Sequence, residues 1–164
     1  MLATVDAYNI SLFLHISAVV IGFGATYAEA VMFPVAMKVD KRHLPYVHRL
    51  GLAINQRLAT PAMVVILLTG IYQVAEDDGR DISFGDPWVS ATFAILIVLG
   101  GLLGGYFVPT DRRLGEMAER DLASGSAEMS AEYQAGAKQV AAVGGLAGVL
   151  VLVAIFLMVT KPGA

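Results

Sequence analysis

The sequence predicts an all-α integral membrane protein: a four-helix bundle whose helices cross the bilayer in up-down-up-down order. Two observations predict this class. Of the 164 residues, 57% are hydrophobic and 15% are charged. In an average soluble domain, about 45–50% of the residues are apolar and about 25% are charged. The apolar residues also gather in four runs, each long enough to cross roughly 30 Å of hydrocarbon. Short connections between consecutive runs favour the up-down-up-down order.

The same composition excludes several other classes of protein. Intrinsic disorder needs low hydrophobicity and a high net charge, and this chain has a net charge of only −3. That balance also offers no basic surface to nucleic acid. Because the chain has no cysteine, disulfides, thiolate metal sites and cysteine nucleophiles are excluded. The sequence contains no phosphate-binding loop, nucleophile elbow or HExxH motif, so soluble-enzyme chemistry is not supported.

The four predicted spans cover residues 8–37, 52–75, 88–108 and 139–160 of a single domain, residues 1–164. We interpret the first as a retained span and not as a cleaved signal peptide. No basic residue precedes it, its apolar run is too long, and it carries His15 and Glu29. Residues 111–134 predict two charged cytoplasmic helical extensions between the third and fourth spans, broken at Ser124, Gly125 and Ser126.

The distribution of Lys and Arg predicts which way the bundle faces. Nine basic residues flank the first and third connections, and only Arg80 and Lys161 lie on the opposite side. Cytoplasmic loops carry the excess of Lys and Arg, so we expect both termini on the non-cytoplasmic side of a bacterial-type inner membrane. The nine residues are Lys38, Lys41, Arg42, Arg49, Arg57, Arg112, Arg113, Arg120 and Lys138.

Small residues at helical spacing predict where helices approach one another closely in lipid. They favour tight packing within one bundle or a homodimer seam, with a glycine-lined cofactor or substrate cleft as the alternative. The predicted packing glycines are Gly22, Gly100, Gly101, Gly104, Gly105, Gly144 and Gly148.

His15 is one of two ionisable side chains at membrane depth, where such groups are functional-site candidates by default. With the termini outside, it lies in the outer half of the membrane. A neutral imidazole there can ligate iron or copper, and a methionine thioether can be the second axial ligand of a haem. The alternative is a histidine that is hydrogen-bonded across helices. The outer-half residues considered with it are Tyr72, Trp88, Met158 and Lys161.

Glu29 is the other ionisable side chain at membrane depth, and it lies in the inner half. Arg57 can reach the same depth by snorkelling, so we predict an ion pair between Glu29 and Arg57. The pair either fixes helix register or takes part in a proton or ion relay. His43 and His48 fall in the predicted cytoplasmic loop, and we interpret both as solvated.

Four segments carry a resemblance to known membrane proteins: LFLHISAVVIGFG, RLATPAMVVILLTGIY, PWVSATF and LMVTKPG. The chain resembles small four-helix integral membrane proteins of unknown function. These are related to the copper resistance protein D family and to the membrane-bound, haem-associated protoporphyrinogen oxidase of bacteria. The resemblance implies that His15 binds haem, and it matches Arg57, residues 60–63 and Lys161 to positions of the oxidase family.

Three functions follow from these observations. The first is a b-type haem-binding membrane protein with a redox or haem-handling role through His15. The second is a non-enzymatic membrane subunit or homo-oligomeric packing module that acts within the bilayer or a larger membrane complex. The third is ion or metal transport.

Overall fold

The computed structural model describes residues 6–76, 82–125 and 128–163, and within these residues it is helical with no strand. Four helices are long and apolar enough to cross a membrane. They are α1 (Ala7–Val39), α2 (Lys41–Ala75), α3 (Pro87–Ala123) and α4 (Ala131–Thr160). The prediction of an all-α protein with four membrane-length helices is therefore confirmed. The up-down order and the side of the termini remain predictions.

Local signals set where these helices begin and end. Asp6 precedes α1, and its carboxylate accepts the backbone N–H of Asn9 at 2.7 Å. Ser130 precedes α4, and its hydroxyl accepts the N–H of Tyr133 at 3.3 Å. Such side chains satisfy N–H groups that have no partner inside the helix. At the other end of α4, Lys161 takes a left-handed backbone conformation, with φ of 44°, which stops the helix.

The turn between α1 and α2 is much tighter than the sequence suggested. Residues 38–51 were predicted as a cytoplasmic loop, but α1 continues to Val39 and α2 begins at Lys41. Asp40 makes the turn, and its carboxylate accepts the N–H of Arg42 at 2.9 Å. Pro45 stands in the first turn of the α-helical segment Leu44–Ile54, where its missing N–H costs nothing. The basic residues of this region are therefore mostly helical.

Two of the helices contain a π-helical segment. In α2 it covers Asn55–Ala59, and in α3 it covers Leu103–Phe107. Helix α3 passes through its segment without a break, so the predicted third span and the charged extension after it form one helix of 37 residues. Single π-helical turns within α-helices occur frequently at functional sites.

Helices α1 and α2 run in opposite directions. Ser11 donates to the carbonyl of Thr69 at 3.4 Å, and Gly22 packs against Ala62 further along. Helices α3 and α4 are also antiparallel: Lys161 lies over Trp88 at one end, and Gly136 meets Leu114 at the other.

The bundle has two hydrophobic cores at different levels. The first contains Ala18, Phe23, Ala62, Ile66, Leu96, Leu99, Ala147 and Val151. The second contains Ala36, Leu44, Val47, Leu114, Met117, Ala118, Met129 and Tyr133. The stretches of α1, α2 and α3 that join the two cores carry buried polar residues, and these form the candidate site.

Candidate functional site

Glu29 places a carboxylate inside the bundle where α1 packs against α2. Its Oε1 atom is buried and has no hydrogen-bond partner. A Cβ atom added to Gly51 would lie 3.5 Å from this oxygen. The carboxylate therefore packs against the backbone of α2 at a residue that has no side chain. Asn55, one turn further along α2, is buried, and its side chain interacts with Glu29.

The structure does not bring Glu29 and Arg57 together. The π-helical segment Asn55–Ala59 buries its first and last residues and leaves residues 56–58 exposed. The Arg57 side chain is therefore outside the bundle, and none of the ion pairs among the described residues includes Glu29. The prediction matched the two residues by depth alone. The face decides the partner: Asn55 follows the buried Gly51 by four residues, as on one face of a helix, whereas Arg57 lies on the exposed side.

A histidine, an aspartate and a tyrosine meet close to Glu29. His48 of α2 lies with its Nε2 2.9 Å from the hydroxyl of Tyr133 in α4. Its Nδ1 lies 3.5 Å from Oδ1 of Asp111 in α3, and the ring of Phe33 in α1 packs against it at 4.9 Å between centroids. All four helices thus contribute a side chain to the surroundings of this imidazole.

The interpretation of His48 as a solvated loop residue is wrong. The residue is 1% exposed, the same fraction as Leu114 of the second core. It belongs to a helical face with Leu44, Val47 and Gly51, all of which are buried. Because residues 44–54 form a helix and not a loop, that face turns toward α3 and α4. His43 is exposed, in agreement with the prediction made for it.

Two carboxylates approach the same point of α2. A Cβ added to Gly51 would lie 3.5 Å from Glu29 Oε1 and 3.6 Å from Asp111 Oδ2. Asp111 is 4% exposed, and its Oδ1 is buried without a hydrogen-bond partner. Among the described residues, neither carboxylate pairs with a Lys or Arg. We refer to Glu29, His48, Asn55, Asp111 and Tyr133 as the buried polar cluster.

A small cleft of about 140 Å³ opens the buried polar cluster to the surface. His48 and Asp111 form its inner wall, and the ion pair of Arg49 with Glu119 stands among the residues at its rim. The remaining lining residues are Pro45, Leu52, Arg112, Gly115 and Glu116. The cluster is thus buried but adjoins a polar opening.

His15 lies near the other end of α1 and is tied to α2. It is buried, and its Nδ1 lies 2.9 Å from the hydroxyl of Thr69. That hydroxyl donates its own proton to the carbonyl of Val65, so Nδ1 carries the proton that is donated to Thr69. The Nε2 atom is then unprotonated and keeps its lone pair.

The other residues predicted around His15 lie on three helices. Trp88 is buried with its Nε1 unpartnered, and the Lys161 ammonium stands 5.7 Å from the centre of its ring. Tyr72 and Met158 are half-buried in the last turns of α2 and α4. In the described part of the chain, no group of three or more His, Asp or Glu side chains could hold a metal ion.

The predicted packing glycines separate into two groups. A Cβ added to Gly22 would come within 2.8 Å of Ala62 Cβ, and one added to Gly148 would meet the ring of Tyr27 at 3.7 Å. Gly100 and Gly144 make looser contacts at 3.9 and 4.0 Å. In contrast, a Cβ on Gly101, Gly104 or Gly105 would meet nothing within 4 Å among the described residues.

Sequence reasoning missed the contributions of His48, Asp111 and Tyr133. A signal for them was present in the spacing of buried residues. His48 follows Leu44 by four residues, and Leu114 follows Asp111 by three, as on one face of a helix. The sequence also contains an acidic loop with Asp77, Asp78, Asp81 and Asp86, for which weak cation binding is a further prediction. The first three of these residues lie outside the described residues.

Four membrane-length helices with ionisable side chains buried between them define an integral membrane protein. Residues 9–162 match the family described as predicted integral membrane protein (DUF2269), and the chain belongs to that family. Comparison with curated proteins and with solved structures found no match. The resemblance to integral membrane proteins of unknown function is therefore confirmed. No match supports the relation to the copper resistance protein D family or to protoporphyrinogen oxidase.

Proposed function

We propose that this chain is a proton-binding membrane protein, in which Glu29 and Asp111 together take up and release a proton. One observation carries the proposal: Glu29 Oε1 and Asp111 Oδ2 approach the same backbone position, Gly51. Each carboxylate also has one buried oxygen without a hydrogen-bond partner, Oε1 of Glu29 and Oδ1 of Asp111. Two negative charges so close together in a low-dielectric interior repel each other, so one carboxyl group holds a proton.

His48 and Tyr133 extend this pair toward the second core. Imidazole can accept a proton at one nitrogen while it donates from the other, and the tyrosine hydroxyl can do both. The distances of 3.5 Å from Asp111 to Nδ1 and 2.9 Å from Nε2 to the Tyr133 hydroxyl suit such a chain after a small movement. The cleft beside His48 and Asp111 admits water to the chain.

The test is infrared spectroscopy of the purified protein through a pH titration. A protonated carboxyl group has a separate C=O stretching band, and we expect one such band from the pair. Glu29→Gln and Asp111→Asn should each remove or strongly shift it. Glu132→Gln is the matched control, because that carboxylate is exposed and pairs only with Arg113. A band that survives in both variants would contradict the proposal.

Proton movement is measured separately in proteoliposomes that contain a pH-sensitive dye. If the cluster conducts protons, an imposed pH gradient should decay faster with the wild-type protein than with Glu29→Gln, and Glu132→Gln should behave as wild type. Equal decay in all three would leave a proton-binding site that is closed to one side of the membrane.

A second candidate function is haem binding through His15, and the Thr69 hydrogen bond favours it. A histidine that ligates a metal usually donates its other N–H to a neighbouring group, which fixes the tautomer. The Nδ1–H of His15 is bound to Thr69 in this way, so Nε2 is suited to an axial position. Bound haem b would supply electron-transfer chemistry, with Met158 proposed as the second ligand.

Visible spectroscopy tests this candidate directly. After expression with ample haem, the detergent-purified protein should show a Soret band, and His15→Ala should abolish it. Asp111→Asn serves as the control, since Asp111 belongs to the buried polar cluster. The absence of a Soret band in the wild-type protein would discard haem binding, and a band that survives in His15→Ala would discard His15 as the ligand.

We also propose the orientation that the basic residues predict, with both termini on the non-cytoplasmic side of a bacterial-type inner membrane. The open glycines Gly101, Gly104 and Gly105 support a lateral contact with a second copy or with another membrane subunit, since small residues favour close helix packing in lipid.

A further inference from the structure

The turn between α1 and α2 forms one side of a cavity of about 350 Å³. Residues 37–42 line it from that turn, and Leu122 closes it from the end of α3. This volume falls within the roughly 300–1,000 Å³ of small-molecule sites. The cavity lies apart from both the buried polar cluster and His15.

Basic side chains dominate the cavity. Lys38, Lys41 and Arg42 line it, against the single carboxylate of Asp40. Arg42 pairs with Asp40 at 2.9 Å, and Asp40 also accepts the Arg42 backbone N–H, which holds the turn in place. The hydrogen bonds from Arg42 hold the pKa of the Asp40 carboxyl below its usual range. Among the described residues that line the cavity, three side chains are basic and one is acidic, so the lining is suited to an anion.

An exposed apolar stripe leads along α1 to this cavity. Val31, Val35 and Val39 follow one another at intervals of four residues, so they share one face of the helix. Their exposed fractions are 66%, 53% and 72%, although α1 is a membrane-length helix. Met37 and Leu122 add apolar surface to the cavity itself. Together these residues form an apolar surface, suited to a hydrocarbon chain, that ends at the basic side chains of the cavity.

We propose that this cavity binds the phosphate-containing headgroup of an anionic phospholipid, with one acyl chain lying along the Val31–Val35–Val39 stripe. Basic side chains close to a membrane attract anionic lipids, and basic pockets between membrane helices bind their headgroups. The stripe selects a lipid over a soluble anion, because it binds only a ligand that carries a hydrocarbon chain. The other cleft, beside His48, has no such excess of basic residues, because Asp111, Glu116 and Glu119 line it together with Arg49 and Arg112.

The experiment uses the full-length protein in detergent micelles and counts retained lipids by native mass spectrometry. The probe is a phosphatidylglycerol added at increasing concentration, with phosphatidylcholine of the same chains as the zwitterionic comparison. We expect the wild-type protein to retain one phosphatidylglycerol in preference to phosphatidylcholine. Lys38→Gln combined with Arg42→Gln should weaken this binding by about fivefold for each basic residue removed.

The matched control is Arg113→Gln combined with Arg120→Gln, which removes the same charge from exposed positions of α3 outside the cavity. It should bind phosphatidylglycerol as the wild type does. Equal loss in both double variants would overturn the site in favour of a general effect of charge. Val35→Ser with Val39→Ser tests the stripe and should also weaken binding. Displacement of the lipid by inorganic phosphate alone would overturn the lipid as the ligand.

Discussion

At the scale of single residues, His48 shows how a buried polar group is stabilised by several helices at once. Its two nitrogens face Tyr133 of α4 and Asp111 of α3, and Phe33 of α1 covers its ring. Gly115 of α3 allows this approach, because a Cβ there would lie 3.2 Å from His48 Cβ. The imidazole is thus in contact with a residue from each of the other three helices.

Replacement of Tyr133 by Phe should destabilise the protein. The variant removes the hydroxyl that partners His48 Nε2, and an unsatisfied buried polar group costs about 1–3 kcal/mol. Unfolding in mixed micelles with increasing SDS measures the change in the free energy of unfolding. Tyr46→Phe is the control, since Tyr46 is 66% exposed, and its effect should be close to zero. Equal stability of the two variants would show that the hydrogen bond contributes little.

At the scale of helices, the α1–α2 interface depends on one close approach. Gly22 faces Ala62, and the two helix backbones come together there because neither residue has a side chain larger than a methyl group. Polar contacts follow on either side: Ser11 and His15 reach Thr69 in one direction, and Glu29 reaches Gly51 in the other. The glycine therefore sets the distance at which these polar groups meet.

A pair of glycine substitutions distinguishes packing glycines from open ones. Gly22→Ala should destabilise the bundle by about 1–3 kcal/mol, because the added Cβ would stand 2.8 Å from Ala62 Cβ and the helices would have to separate. Gly101→Ala meets nothing within 4 Å and gains helix propensity, so it should be neutral or stabilising.

Both variants are compared by SDS unfolding in detergent. A neutral Gly22→Ala variant would mean that α1 and α2 adjust freely. If Gly101 packs against a second copy, the larger Gly101→Leu should abolish association in analytical ultracentrifugation while the monomer stays folded.

The two π-helical segments are the helical feature that the sequence did not indicate. In α2 the segment covers Asn55–Ala59 and buries only its first and last residues. Asn55 follows Gly51 by four residues, so a regular helical period already places it on the face toward Glu29 and places Arg57 away from it. The predicted ion pair relied on depth and snorkelling and left the helical face out. The boundary between α1 and α2 was also displaced, because residues 38–51 were assumed to form a loop, whereas α2 begins at Lys41.

At the scale of the whole molecule, α2, α3 and α4 continue past their predicted apolar spans into a second core. This part of the bundle has an apolar surface at Val31, Val35 and Val39 and a charged surface on α3 at Arg112, Arg113 and Glu116. The buried polar cluster lies where the two cores adjoin. A change of charge in the cluster therefore acts on the packing of both.

Single cysteines test the orientation, because the native chain has none. Ser83→Cys is exposed between α2 and α3, and Ser124→Cys is exposed after α3. With both termini outside the cytoplasm, a membrane-impermeant maleimide added to intact cells should label Ser83→Cys and should reach Ser124→Cys only after permeabilisation. The native chain gives the background. The reverse labelling pattern would invert the topology.

Composition and hydropathy determined the class of protein, the number of spans and the presence of His15 and Glu29 at membrane depth in α1. These features follow from the sequence because an apolar run of membrane length has few structural alternatives to a helix that crosses the bilayer. The tertiary structure alone decided the partner of Glu29, the burial of His48 and the closeness of Asp111. Each depends on which face of a helix meets which neighbour, and a single glycine such as Gly51 changes how closely two elements approach without a mark in the local hydrophobic pattern.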